Sequence, residues 1–152
     1  MASGMLWKAG MKRGVSVMVM VAVLVAAGVH AGSTIKAPML DKDGAEQGAA
    51  KVNLAKGSVN VKAALAQLPA TVDTGTEQFE ATIYKAYVLS STDAAVEIPL
   101  ANVYPTSKGK ATVKAALKGD ISLLGLDRVV IVAFSKDGLS SFDVLTGTLA
   151  VQ

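Results

Sequence analysis

Arg128-Val129-Val130-Ile131-Val132-Ala133-Phe134-Ser135 is the most apolar run beyond residue 31. An apolar stretch of this length without polar alternation reads as a strand buried on both faces, in the middle of a sheet. Turn chemistry follows at Asp137-Gly138, and Phe142 to Val151 reads as a last strand loosened by Gly147. Upstream, Leu123-Leu124-Gly125-Leu126 reads as a hydrophobic loop or a single helical turn.

Further toward the N-terminus the texture stays strand-like. Lys110 to Lys118 alternates through Ala111, Val113 and Ala115, after a turn-rich Tyr104 to Gly109. Val96 to Leu100 is a short strand that Pro99 restricts to a sheet edge, because proline cannot donate to a ladder. Phe79 to Ser90 is the longest strand candidate, rich in β-branched and aromatic residues. Strict alternation would put Phe79, Ala81, Ile83, Tyr87 and Leu89 on one face, with Lys85 as the exception, and Thr82, Tyr84 and Val88 on the other. Asp73-Thr74-Gly75 is a turn and Leu68-Pro69 a stop. Ser58 to Leu65 and Lys51 to Leu54 alternate again. Gly32 to Ala49 is poor in large apolar residues and reads as a flexible N-terminal arm with room for one edge strand. About seven short strands at regular spacing predict an all-β fold, a sandwich of mainly antiparallel strands over 50–152.

Gly57 to Leu65 (GSVNVKAAL) is echoed by Gly109 to Leu117 (GKATVKAAL), 52 residues later. The echo is either chance in an Ala/Val/Lys-rich chain or the mark of two similar hairpin halves packed face to face. VKAAL also fits helical spacing, through Val61, Ala64, Leu65 and Leu68; Val59 and Val61 tip it toward strand.

Residues 1–31 are of another kind. Lys8, Lys12 and Arg13 precede an uncharged run, Val15 to Val29, and His30-Ala31 and Gly32-Ser33 follow. That is the layout of a secretory signal peptide, with Val29 and Ala31 at the −3 and −1 positions of a cut after Ala31. The apolar run is short against the roughly 20 residues that span a bilayer, so cleavage is expected rather than a retained anchor. The expected location is secreted or periplasmic, with membrane contact only during export. The three basic residues of the leader are among 15 in the chain, and none of the 12 acids lies there, so the remainder carries equal numbers of each. The basic balance belongs to the export signal, which argues against nucleic-acid binding.

The only histidine, His30, and the only tryptophan, Trp7, fall in the leader, and there is no cysteine. Without them the exported part has no disulfide, no His-based triad and no imidazole or thiolate metal site, and no cofactor is expected. Carboxylates remain. Asp41, Asp43 and Glu46 form D-x-D-G-x-E, a weak candidate for a hard cation that lacks the ligand count of a calcium loop. Glu77 with Glu80, or Asp137 with Asp143, are the acid pairs a glycosidase-type mechanism would need, though acids at strand ends and turns are usually solvated. Tyr84 and Tyr104 are candidate surface aromatics.

Tyr84-Lys85-Ala86-Tyr87-Val88-Leu89 and the segment from Asp127 to Gly147 resemble the extracytoplasmic domain of anti-sigma-K-type factors. Tyr84 and Tyr87 stand for a Y-x-x-W pair, Val130 to Ser135 for the late strand, and Leu145-Thr146-Gly147 for a terminal P-T-G. Lys136-Asp137 replaces the usual Glu-Pro. The resemblance implies a β-sandwich. It does not imply sigma-factor control, since the leader leaves no room for a sigma-binding domain.

The functional expectation is a non-enzymatic β module that binds a protein or envelope partner or serves a structural role at the cell envelope or in the extracellular matrix. The alternatives are a homo-oligomeric filament subunit that exchanges a strand through the 32–49 arm, and a carboxylate-based hydrolase.

Overall fold

The computed structural model describes residues 34–53, 55–93, 96–117 and 125–150. The leader, with Val29 and Ala31, lies outside them, as does most of the Gly119 to Leu126 loop. The described residues are all-β, in nine strands: β1 (Thr34–Leu40), β2 (Glu46–Asn53), β3 (Ser58–Ala64), β4 (Ala70–Asp73), β5 (Gln78–Leu89), β6 (Glu97–Val103), β7 (Lys110–Ala116), β8 (Arg128–Ser135) and β9 (Ser141–Thr148).

Every ladder is antiparallel. The expected two facing sheets are instead one curled sheet, a half-barrel, in the order β4-β5-β8-β9-β1-β2-β3-β7. β4 and β6 share one side of β5, along its first and second halves. The edge strands β6 and β7 come into contact without a ladder between them, so hydrogen bonds do not close the curl there.

β8 holds the central position that RVVIVAFS calls for, between β5 and β9. Val129, Ile131 and Ala133 point into the core. Val130 points the other way and is nevertheless 0% exposed. It lies opposite Tyr87 in register, beside the Tyr87–Phe134 ring pair (centroids 6.5 Å apart) and Lys85, whose ammonium sits 5.1 Å from the Phe134 ring centroid. The outer face of the sheet thus buries a second, smaller apolar layer.

Four expectations need correction. The 32–49 segment is not a free arm: β1 pairs along its length with β2 and meets β9 at Leu40↔Thr146. Ile35, Ala37 and Met39 are buried there, while Thr34, Lys36, Pro38 and Leu40 alternate outward. Only three apolar residues carry the alternation, set apart by Lys36 and Pro38 in a segment otherwise poor in large apolar residues, which is why composition concealed it. Second, a bulge between Ala81 and Ile83 breaks the alternation of β5. Ala81 therefore joins Tyr84, Ala86 and Val88 inside, and Ile83 and Tyr87 stay with Lys85 outside. Third, Tyr84 is no surface aromatic; it is 2% exposed and part of the core.

The fourth concerns the VKAAL echo. Its copies are not packed face to face but lie edge to edge as β3 and β7, with Val61 opposite Val113 and Ala63 opposite Ala111. The relation extends further. β1-β2-β3 run up and down as neighbours, and so do β5-β6-β7. β3 and β7 join the two triplets on one side, and the β8–β9 hairpin joins them on the other, through β5·β8 and β1·β9. The strand order is therefore roughly symmetric about the β3–β7 ladder.

Candidate functional site

A recess of about 440 Å³ opens at the end of the half-barrel where β1 leaves and β2 enters. Single-ligand sites commonly run from about 300 to 1,000 Å³. Leu65, Val72, Tyr84, Phe142, Val144 and Leu145 supply its apolar lining, and Asp41, Lys42, Asp43, Gln47, Asp73 and Lys108 its polar residues.

Turns place most of these polar residues, and Gln47 stands at the start of β2. In the β1–β2 turn, Asp41 Oδ1 accepts from the backbone N–H groups of Asp43 (3.0 Å) and Ala45 (2.9 Å), and Oδ2 accepts from Gln47 Nε2 (2.9 Å). The Gln47 bond, followed by the Ala45 bond, holds the Asp41 carboxyl below its ordinary value. Asp73 does the same for the β4–β5 turn. It accepts from Gly75 N–H (2.8 Å) and Gln78 Nε2 (3.1 Å), and these two bonds, the first the larger, lower its pKa. Lys108 stands on the β6–β7 loop, which Gly109 N–H closes onto the Thr106 carbonyl (2.8 Å). Lys42 pairs with Asp43 at 3.3 Å.

Tyr84 differs from its polar neighbours. It is among the largest fully buried side chains, lines the cleft, and makes no hydrogen bond to the protein. Burial alone pushes its pKa up, so the hydroxyl stays protonated and able to donate.

The cation candidates Asp41, Asp43 and Glu46 do not converge. Asp41 is taken up by its turn, Asp43 faces Lys42, and Glu46 is exposed at the start of β2. Among the described residues no group of three or more acids or histidines could hold a metal ion. Glu77, Glu80, Asp137 and Asp143 are all exposed. Asp137 Oδ1 accepts from Ser135 Oγ (2.6 Å) and Leu139 N–H (3.0 Å), and these bonds, in that order, lower its pKa. Glu80 and Asp137, not paired from sequence, border a shared open hollow of about 590 Å³ with Thr82, Ser135 and Lys136. Tyr104 is 67% exposed, and its hydroxyl accepts from Asn102 Nδ2 at 3.3 Å.

Sequence reasoning missed Gln47, Asp73 and Lys108 as site residues, and it assigned Tyr84 to the surface. Asp73 was legible as a turn former, but only the curl of the sheet brings that turn beside Asp41. Comparison of the chain with protein-family models, with curated proteins and with solved structures finds no match.

Proposed function

We propose that this is an exported, non-enzymatic β domain that binds a small partner molecule in the cleft at the open end of its half-barrel, at the cell envelope or in the extracellular space. The observation that carries the reading is the cleft itself: an apolar lining that includes the Tyr84 side chain, with polar groups around it. Export is supported by the layout of residues 1–31. Binding is favoured over hydrolysis because two of the cleft acids, Asp41 and Asp73, are engaged by the turns they hold and the third, Asp43, is paired with Lys42. A general acid would need a raised pKa, and both are lowered. Strand exchange through the N-terminal segment would require β1 to leave two neighbours and uncover Met39, so a filament built that way is the less economical reading.

The test is an amide NMR screen of small-molecule fragments against the protein recovered in exported form, with its intact mass recorded. The expected hits shift amides of 41–47, 64–72, 108–109 and 142–145 together. Hits scattered over other surfaces, or none, would overturn the cleft reading. A mass that includes residues 1–31 would overturn the cleavage site.

A further inference from the structure

Leu139 is the most exposed large apolar side chain among the described residues, at 86%. Its turn between β8 and β9 is closely tied. Ser135 N–H donates to the Ser140 carbonyl (2.9 Å) and Gly138 N–H to the Ser135 carbonyl (3.0 Å). Asp137 Oδ1 accepts from Ser135 Oγ and from Leu139 N–H, and Ser140 N–H donates to Ser135 Oγ (3.0 Å). A leucine held this way has little backbone freedom left to lose when a partner covers it. Asp137 is engaged inside the turn, so the exposed Lys136 is the charge presented beside Leu139.

Beside this turn, on the outer face of the sheet, lies a hollow of about 260 Å³. Tyr87, Leu89, Val130, Val132 and Phe134 give it an apolar lining, and its two charged residues, Glu97 and Asp143, are both acids. Among the described residues neither acid is in an ion pair, and Lys85, on the same face, lies over the Phe134 ring. The volume falls below the roughly 300 Å³ at which small-molecule sites begin, and suits a single side chain. Phe134 and Ser141, opposite each other in register at the base of the turn, both border the hollow. One chain thus carries, side by side, a leucine with a lysine and an apolar hollow with two acids. The exposure of Leu139 shows that the two do not meet within one molecule.

We infer that this face joins a second copy of the chain in a two-fold dimer, with Leu139 of each copy in the hollow of the other and Lys136 beside the Glu97 and Asp143 carboxylates there. Because knob and hollow are adjacent, one axis lets both contacts form at once, as an isologous interface requires. The opposite charges at the rim set the register. One anchor and one hollow per copy make a weak dimer, populated at high concentration. The hollow shares no residue with the cleft, so this inference and the cleft reading stand or fall separately.

Sedimentation velocity of the exported protein from about 10 μM to about 1 mM should show monomer giving way to dimer. Leu139→Ser removes the knob and Ser141→Trp fills the hollow from its rim, and each should weaken the dimer by about tenfold or more. Lys136→Glu should weaken it at low salt. The two knob-and-hollow variants should complement each other. Isotope-labelled Leu139→Ser protein, whose hollow is intact, should shift its amides at 87–89, 97 and 130–134 when unlabelled Ser141→Trp protein is added, and not when unlabelled Leu139→Ser protein is added. A monomer throughout the range, assembly beyond a dimer, or a dimer that survives Leu139→Ser or Lys136→Glu would overturn the inference, as would mixed variants that leave the hollow amides unmoved.

Discussion

Gly57 and Gly109 occupy equivalent places at the two ends of one ladder. Gly57 accepts from Leu117 N–H at 2.5 Å, and Gly109 accepts from Leu65 N–H at 2.8 Å. Both have positive φ, +58° and +72°. A Cβ at Gly57 would stand 2.6 Å from the Leu117 carbonyl oxygen, and one at Gly109 would stand 2.8 Å from that of Leu65. Each repeat thus opens on a glycine that turns the chain and closes on a leucine that binds the glycine of the other copy. Gly57→Ala and Gly109→Ala should each destabilise the fold by about 1–3 kcal/mol, combining left-handed strain with carbonyl crowding. Urea unfolding of the two variants should give similar losses. A large loss at one glycine and none at the other would break the equivalence.

A second prediction concerns the seam where the triplets meet through β1 and β9. Only Leu40↔Thr146 pairs there, and the neighbouring Gly147 leaves room for Met39, whose sulfur would lie 2.7 Å from a Cβ at that glycine. The Pro38 carbonyl oxygen would be 3.1 Å away. Gly147→Ala should cost about 1–3 kcal/mol by overpacking, and Met39→Ala about 2–5 kcal/mol by opening a cavity. Because the added methyl and the removed thioether compete for one space, the double variant should lose less than the two single losses combined. Additive losses would show that the contact does not limit the packing of this seam.

The central strand β8 was legible because it needs both faces covered, and an unbroken apolar run is the signature of that demand. β1 was not legible as a core strand, because Ile35, Ala37 and Met39 are separated by a lysine and a proline in a Gly/Ala-rich stretch. The bulge at Ala81–Ile83 left no mark in composition, yet it re-aims Ala81 relative to Tyr84, and strict alternation therefore misassigned the face. The VKAAL echo showed that two segments were alike but not where they lay. Edge-to-edge pairing depends on ladder register and turn glycines, and face-to-face packing would have served the same sequence pattern. The cleft escaped because its members come from five separate stretches that only the curl of the sheet assembles.

Acid stability follows from Asp41, Asp73 and Asp137, each below the ordinary aspartate value of 3.8 because its turn donates hydrogen bonds to the carboxylate. The unfolded chain binds protons at higher pH than the folded one. Their contribution is therefore present above 3.8 and is lost as pH falls through the lower folded values. Urea midpoints measured from neutral pH downward should fall on entering that window. Asp41→Asn and Asp73→Asn should lower the midpoint at neutral pH and flatten the decline, since the amide offers one acceptor oxygen and does not titrate. A variant with the wild-type slope would remove that aspartate from the explanation.

Alkaline behaviour isolates Tyr84. Burial lifts its pKa above the ordinary 10.0, and no charged group contributes to the shift. The folded state thus favours the neutral phenol. The associated stability is complete below 10.0 and is lost as pH rises through the folded value, where a phenolate would have to enter the core. Tyr84→Phe removes both the ionisation and a hydroxyl without a protein partner, while the ring keeps its place among the core side chains. Stability at neutral pH should stay level or rise, since a hydroxyl that makes no hydrogen bond to the protein contributes no internal bond to lose. The alkaline unfolding transition, followed by circular dichroism, should move to higher pH. Tyr87 also titrates late, through its own partial burial and the Glu97 charge, so its signal should remain in the variant as an internal control. If Tyr84→Phe instead lowers neutral-pH stability by more than about 1 kcal/mol, the hydroxyl has a partner inside the fold.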